Sequence, residues 1–464
     1  MRDSNSPRNR ARRVGRFAAR IRLPAAFALV VCAAPVHAQL RVPQLQLPNV
    51  PGIQLPTDVQ SDLARAQLGI DASRLRELRK LQMHQLIRAN PRDLEADPAG
   101  EAMVRNQVLA YSPSPAALDG LRAAGFTVVR ENTLEGLDAS VMVLAAPSGM
   151  STAKALQRLR SLDPQGVYDF NHLYAGSGAI SASDALSVPS TEVAPTGEPS
   201  GVVKIGLIDA GIDDAHPAFQ GASLRHWGCS GQSASSAHGT AVASILIGKT
   251  AAFHGAAPQS QLYSADVYCG SATGGAADVI AAAFAWMARE QVPVINVSLV
   301  GPKNATLEQV VRIVIARGHL VVAAVGNDGP SAPPLYPAAY ANVIGVTAVD
   351  ARQRVLVEAG RGPQVAFAAP GADMAAAGGN AAFVAVRGTS FAAPVVAGLL
   401  ALRLPAPDKN AADAVLAQLA REAVDLGPRG RDTTYGNGLV GEQIRVDPKL
   451  VMSPPMANAI ASHR

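Results

Sequence analysis

From Gly201 onward, short apolar runs alternate with stretches of helical spacing, and this alternation constrains the fold more than any other feature. The apolar runs have the length of β-strands and carry few polar positions. Apolar strands that alternate with helices indicate a parallel sheet buried on both faces. The sequence therefore predicts an α/β domain with a doubly wound, mainly parallel sheet over residues 201–445. Strands are predicted at 202–208, 261–267, 292–297, 320–325 and 343–346, and helices near 238–248, 276–290, 305–317, 390–403 and 410–424.

The region before this domain has a different composition. Residues 107–174 alternate strand-like and amphipathic helical runs in the order β-α-β-β-α-β, which predicts a small α+β domain. Residues 39–106 form a Pro-rich linker followed by a helical segment at 61–90. Residues 175–200 are rich in Ser, Ala, Pro and Gly, and this composition predicts an exposed linker because it cannot bury a core.

The N-terminus combines a basic segment with a short apolar run. Residues 1–22 hold eight Arg and one Asp, and residues 23–35 carry no charge. Residues 36–38 (Val-His-Ala) follow with small residues at the positions that a signal peptidase reads, which predicts an export signal peptide over 1–38. A membrane anchor would need about 20 apolar residues, and this run is shorter. We therefore expect export to the periplasm or the medium, with no membrane span.

The basic balance of the chain does not indicate a nucleic-acid partner. The formal charge is +5, but residues 1–22 contribute +7 and leave −2 for the remainder. No basic face is left downstream that could follow a phosphate backbone.

Two cysteines, Cys229 and Cys269, lie outside the predicted signal peptide, whereas Cys32 lies within it. An exported protein meets an oxidising compartment, so these two cysteines are candidates for a disulfide. Two separate buried thiols are the alternative interpretation.

Three polar residues are placed where chemistry is expected in such a sheet. Asp209 ends the first predicted strand, and His238 and Ser390 each open a helical stretch. Taken singly, each residue could be a helix cap or a turn former. Together they supply a hydroxyl nucleophile, a base that takes its proton and a carboxylate that orients the base.

The segments around these residues resemble the subtilisin-like serine proteases, or subtilases. IGLIDAGIDDAHPAF, AHGTAVASI and GTSFAAPVVAG resemble the Asp, His and Ser segments of that family, in the same order. VVAAVGNDG resembles the strand whose Asn completes the oxyanion hole, which is Asn327 here. The resemblance implies an S8-type serine endopeptidase that needs no cofactor. In it, Ser390 is the nucleophile, His238 the general base and acid, and Asp209 the residue that orients His238.

The resemblance also implies the substrate-binding residues. INVSLVG resembles the edge strand that pairs with the substrate backbone. Val300 stands where a Gly usually lines the first specificity pocket, and Leu335 is near the pocket floor, so we expect a narrow pocket for small or medium apolar residues. Asp328 at the rim could also accept a basic residue, and loop shifts that leave specificity broad are the alternative. The residues assigned to substrate binding are Ser298, Leu299, Val300, Gly301, Asp328 and Leu335.

The β-α-β-β-α-β unit gains a role by the same resemblance. Subtilases are often made with an inhibitory propeptide of this shape, so the tail at 171–174 would lie in the cleft like a product. The linker at 175–200 would then be cut. A permanent accessory domain is the competing interpretation. We accordingly expect a monomeric zymogen whose partners are polypeptide substrates and its own propeptide.

Other possibilities stay open. Calcium often stabilises this family, but the acidic residues Asp213, Asp214 and Asp373 show no recognisable ligand spacing, so no metal residue is assigned. A catalytically silent or self-processing-only subtilase that serves as a binding or assembly module is the alternative function. The tail at 446–464 has no readable role.

Overall fold

The computed structural model describes residues 72–176, 178–180, 202–231, 234–258 and 260–452. The predicted signal peptide, the Pro-rich linker, most of the 175–200 linker and most of the C-terminal tail lie outside these residues. None of the helices in the described ranges is long and apolar enough to cross a membrane.

The N-terminal unit (residues 72–172) is a helix followed by a small α+β sandwich. Its elements are α1 (Ala72–Ala89), β1 (Leu94–Ala96), β2 (Ala102–Tyr111), α2 (Pro115–Ala123), β3 (Thr127–Leu134), β4 (Ala139–Ala145), α3 (Thr152–Leu162) and β5 (Val167–His172). From β2 onward the order is the predicted β-α-β-β-α-β, although β2 starts at Ala102, inside the segment assigned to the linker and helix. The antiparallel sheet has the order β1-β2-β4-β3, and β5 also pairs with β2.

Local chemistry fixes the two helices of the sandwich. Ser114 and Ser151 are N-caps whose hydroxyls accept backbone hydrogen bonds in the first turns of α2 and α3. The apolar faces of these helices, which include Leu121 and Leu156, pack on one face of the sheet. The other face of the sheet packs against the C-terminal domain.

The C-terminal domain (residues 202–452) confirms the predicted α/β class. Two short strands precede this domain, β6 (Ala175–Gly176) and β7 (Gly178–Ile180). The strands of the domain are β8 (Lys204–Asp209), β9 (Leu224–Trp227), β10 (Gln261–Asp266), β11 (Val294–Val297), β12 (Leu299–Val300), β13 (Leu320–Ala324), β14 (Ile344–Val349), β15 (Val365–Pro370), β16 (Met374–Ala377) and β17 (Phe383–Gly388). The helices are α4 (Ala237–Ile247), α5 (Ala277–Arg289), α6 (Ala305–Ala316), α7 (Thr389–Ala401), α8 (Lys409–Glu422) and α9 (Pro448–Met452). The central sheet has seven parallel strands in the order β15-β14-β13-β11-β8-β10-β9.

Helices cover both faces of this sheet. On one face, α4, α7 and α8 form an apolar cluster with the sheet. On the other face, α5 and α6 form a second cluster, to which β2 and β4 of the N-terminal unit contribute Leu109, Val141 and Val143. The two parts of the chain therefore share one of the two main cores.

Candidate active site

Asp209 and His238 are brought together at the carboxyl edge of the central sheet. Asp209 is the last residue of β8, and His238 lies in the first turn of α4. His238 Nδ1 lies 2.8 Å from Asp209 Oδ1, and both side chains are buried. This contact fixes the orientation of the imidazole, since a carboxylate at Nδ1 selects the tautomer with its proton there.

The close approach of α4 to β8 depends on Gly239. A Cβ at this position would lie 2.3 Å from the carbonyl oxygen of Ala210, so only glycine lets the helix start directly against the strand end. The glycine after His238 is therefore part of the geometry that places the imidazole beside Asp209.

Ser390 lies in the first turn of α7 and is fully buried. The helix begins after Gly388, whose φ of 137° is readily reached only by glycine. Ser390 Oγ donates to the Ser298 carbonyl oxygen at 3.1 Å, and Ser298 Oγ donates to the Ser390 carbonyl oxygen at 2.9 Å. These reciprocal bonds tie the start of α7 to Ser298, the residue between β11 and β12.

Two atoms of the site are buried without a hydrogen-bond partner within the described residues. They are His238 Nε2 and Asp209 Oδ2. An unsatisfied buried polar atom costs about 1–3 kcal/mol and calls for an explanation. At His238 Nε2, the arrangement leaves a nitrogen able to receive a proton.

Asn327 follows β13 and faces the start of α7. Its Oδ1 accepts a hydrogen bond from the Thr389 backbone nitrogen at 3.2 Å, and Thr389 Oγ1 accepts one from the Gly326 nitrogen at 3.1 Å. Since the carbonyl oxygen of the Asn327 amide is used in this way, its NH₂ group is the part that can donate to another oxygen.

Residues 173–176, hereafter the cleft strand, run between two walls of the C-terminal domain. On one wall, Leu173 bridges to Ala276 and the Tyr174 nitrogen donates to the Gly275 carbonyl at 2.8 Å. On the other wall, β6 pairs antiparallel with β12, with Ala175 opposite Val300 and Gly176 opposite Leu299.

Tyr174 anchors the cleft strand. Its ring is buried, and its hydroxyl donates to the Pro302 carbonyl at 2.8 Å. Burial raises the pKa of Tyr174 well above its usual value, which keeps the hydroxyl protonated as a donor. A Cβ at Gly301 would come within 2.6 Å of this ring, so the glycine makes room for it.

The cleft strand ends directly over the imidazole. A Cβ at Gly176 would lie 3.2 Å from His238 Nε2. Beyond it, β7 pairs antiparallel with β17, so that Gly178 lies opposite Gly388, two positions before Ser390 in the chain. The expectation for 171–174 needs correction on this point: Leu173 and Tyr174 lie in the cleft, but Asn171 and His172 complete β5.

The residues assigned to the first specificity pocket lie near one another. Val300 and Leu335 are both buried, and a Cβ at Gly326 would lie 2.5 Å from Leu335 Cδ1. Leu335 therefore fills the space against the backbone of Gly326. Asp328 is buried and accepts a hydrogen bond from Arg79 Nε at 2.5 Å. Burial raises the pKa of Asp328, and the Arg79 guanidinium opposes that rise.

Cys229 and Cys269 are joined in a disulfide bond. Beside it, the buried carboxylate of Asp266 accepts backbone hydrogen bonds from Ala234, Tyr268 and Cys269 at 3.0 Å each. Asp266 thus connects the loop that leads to His238 with the loop that forms one cleft wall.

The acidic residues considered for calcium have protein partners. Asp214 contacts His226 at 2.8 Å, Asp213 accepts from the Ala215 nitrogen and Asp373 accepts from the Ala351 nitrogen.

Sequence reasoning missed the wall formed by Gly275 and Ala276. Its available signal was the pair Gly274-Gly275 shortly after a buried strand, since consecutive glycines there indicate close approach of another backbone. Sequence reasoning also missed Tyr268, whose hydroxyl donates to the Tyr174 carbonyl at 2.8 Å.

Comparisons with known proteins identify the family of this chain. The model of the Subtilase family (Peptidase_S8) matches residues 200–438. Subtilisin DY of Bacillus licheniformis is 34% identical over 250 residues, which cover 51% of this chain and 88% of that protein. Subtilisin E of Bacillus subtilis (strain 168) is 31% identical over 303 residues, which cover 62% of this chain and 77% of that protein.

Among solved structures, fervidolysin from Fervidobacterium pennivorans, a keratinolytic enzyme related to subtilisin, aligns with a TM-score of 0.59 at 19% identity. The alignment covers 79% of this chain and 63% of fervidolysin, and at this identity it supports the fold alone. The chain belongs to the subtilase family and is a serine peptidase.

Proposed function

We propose that this chain is an exported serine endopeptidase, made as a self-processing proenzyme, that hydrolyses peptide bonds through an acyl-enzyme on Ser390. The observation that carries the proposal is the backbone pairing of residues 173–176 and 178–180, which pair with both sides of the cleft around Ser390. A polypeptide held in this way is placed as a substrate by main-chain pairing.

The proposed chemistry assigns one role to each residue. His238 Nε2 takes the Ser390 hydroxyl proton as Oγ attacks the carbonyl carbon, and it later gives that proton to the leaving amine. Asp209 holds the imidazole at Nδ1 and stabilises the imidazolium. Ser390 Oγ donates to Ser298 while the site is at rest, and it must turn toward Nε2 for the reaction, since such contacts often tighten only in the reactive complex.

The forming oxyanion is assigned to two donors. One is the Ser390 backbone N–H, which lies at the N-terminus of α7, and the other is the Asn327 side-chain NH₂. Since the amide of Asn327 is held by Thr389, its direction is set before the substrate arrives.

The register of the cleft predicts the bond that is cut. The chain up to Gly176 pairs with β12, and the chain from Gly178 pairs with β17 beside Ser390. We assign the processing site to the bond that precedes Gly178. The mature protein would then begin at Gly178, and the N-terminal unit would be the removed propeptide.

The decisive experiment is the intact mass of the purified protein beside its Ser390→Ala variant, both expressed without residues 1–38. The wild type should yield a species of residues 178–464, and the variant should stay whole. If both are cut alike, another protease is responsible. If both stay whole, the N-terminal unit is an accessory domain or the site is silent.

Activity on an unrelated protein separates the endopeptidase from its alternative. Casein should be digested by the processed wild type and left intact by Ser390→Ala. A self-processing-only enzyme would mature normally and spare casein.

The first specificity pocket is proposed to be narrow because Val300 stands where the family usually has Gly and Leu335 is assigned near the pocket floor, and both side chains are buried. Peptides with Ala or Leu before the cut should be better substrates than those with Phe, and a preference of about tenfold for Phe would refute this. Ser177, the residue before the assigned bond, is small and agrees with the proposal.

Export is proposed from residues 1–38, which lie outside the described residues. Fractionation of the producing cells should place the mature species in the periplasm or the medium.

A further inference from the structure

Helix α1 precedes the β-α-β-β-α-β sandwich, and it contacts both Ala276 of the first cleft wall and Asp328 after β13. Its buried residues Met83 and Leu86 pack in an apolar cluster with Leu94 of the sheet and Leu173 of the cleft strand. The same cluster includes Ala276, at the first wall, and Val279 and Ala175 pack against it. The helix therefore covers the cleft strand rather than only its own unit.

Arg79 connects α1 to Asp328, in the loop after β13. Its Nε donates to Asp328 Oδ2 at 2.5 Å, and its two terminal nitrogens donate to the two carboxylate oxygens of Glu101 at 2.9 and 3.0 Å. All three side chains are largely buried, with exposed fractions of 15%, 9% and 18% for Arg79, Asp328 and Glu101. A bidentate guanidinium held in this way has a defined geometry, unlike a solvent-exposed ion pair.

Asp328 lies close in the chain to the proposed active site. It directly follows Asn327, the proposed oxyanion donor, while Ala276 lies across the cleft strand. A helix that contacts both residues spans the cleft over Leu173 and Ala175. The helix therefore packs over the cleft strand at these two positions.

We propose that α1 is a second inhibitory element and that the C-terminal domain carries a binding site for it. Asp328 forms one end of this site and Ala276 with Val279 the other, and the site takes an amphipathic helix that bears an arginine. The inference rests on the proposed role of the N-terminal unit as a propeptide. It adds that α1 slows release of the cut unit from the active site, because α1 must also undock.

The first test compares the time of cleavage with the time of activation. Gels follow the appearance of the cut fragment, and a short chromogenic peptide reports the free active site. Arg79→Ala should cut at the wild-type rate but shorten the delay before activity at least tenfold, and Arg79→Lys should be intermediate because an ammonium lacks the guanidinium fork. Arg88→Ala removes an exposed arginine from the same helix and should behave as wild type. Equal delays in Arg79→Ala and wild type would overturn the proposal.

The second test does not depend on cleavage. In full-length Ser390→Ala, hydrogen exchange of α1 and of residues 173–176 should rise at least tenfold when Arg79→Ala is added, and Arg88→Ala should change neither. Asp328→Asn should have the same effect as Arg79→Ala, and the double variant should add little, since the two side chains act as one pair. Unchanged protection in Arg79→Ala would refute docking by this contact, even if the chain never processes itself.

Discussion

The N-terminal unit and the C-terminal domain use similar elements but bury their apolar surface differently. The central strands β10, β13 and β14 are buried along their whole length, because helices of the same domain cover both faces. In the N-terminal unit, β3 is mostly exposed, and only one face of the sheet has its own helices. Its other face, with Leu109, is covered by α5 and α6 of the C-terminal domain. The small unit therefore depends on its partner for part of its core.

The N-terminal unit made alone should show the greatest loss of folded structure. Residues 72–177 should be mostly unfolded by circular dichroism, because a small unit whose sheet has one apolar face uncovered is marginal at best. Addition of the C-terminal domain carrying Ser390→Ala should restore its helical signal. A cooperative unfolding transition in the isolated unit would contradict the dependence described above.

Catalysis, by contrast, should depend on the C-terminal domain alone. Asn327→Ala should lower kcat of the processed enzyme by about 10²–10³-fold, because one oxyanion donor is lost. Asn327→Asp has nearly the same shape but no NH₂ group, so it should lose a similar factor. KM for a short peptide should change little in both variants, and a loss confined to KM would argue against the oxyanion role.

Two leucines of the N-terminal unit test whether its folding is coupled to its binding. Leu109 faces the shared core, whereas Leu144 faces the unit's own helices, and both are buried. A buried Leu→Ala change costs about 2–5 kcal/mol, so each variant should weaken binding of the cut unit by about 30-fold or more if folding and binding are coupled. The measurement is inhibition of the processed enzyme by the added unit. An effect of Leu109→Ala only would mean that the unit folds by itself.

The smallest effect is a loss of stability in acid, assigned to the C-terminal domain. Burial lowers the pKa of His319 and of His216, so the unfolded chain takes up protons first as the pH falls below about 6.5. Stability present above that pH is therefore lost on acidification. The urea midpoint of full-length Ser390→Ala should fall between pH 7 and pH 5.

A matched pair of variants checks the assignment. His319 Nδ1 contacts the Val292 carbonyl at 2.6 Å, and His319→Gln retains a donor toward that carbonyl. This variant should reduce the fall of the urea midpoint between pH 7 and pH 5. His84→Gln alters an exposed histidine of α1 and should leave the drop unchanged. A midpoint that does not fall with pH would contradict the prediction.

Much of the C-terminal domain could be predicted because its signals are local. The strands at 204–209 and 261–266 are short, mostly apolar segments, and the helices at 237–247 and 389–401 each start one residue before their predicted positions. Asp209, His238 and Ser390 were predicted in the same way, since each stands at the end of a strand or the start of a helix, whereas Asn327 was assigned from the family resemblance.

The missed elements lack such local signals. Strands β15 and β16 are rich in alanine, which favours strands weakly, and β9 contains charged and polar residues typical of an edge. The contact between Arg79 and Asp328 joins positions 249 residues apart, and nothing near either residue indicates the other. Long-range ion pairs of this kind require the assembled fold.

The cleft strand also determines how maturation should respond to dilution. If the proposed self-processing cuts the bond before Gly178, the attacking Ser390 belongs to the same chain, and the first cut would be a unimolecular reaction at a high effective concentration. Its half-time should be the same in a dilute and a concentrated preparation. Cleavage of any other protein needs a collision between two molecules and therefore slows with dilution. Each molecule would cut its own chain once, before it encounters another protein substrate.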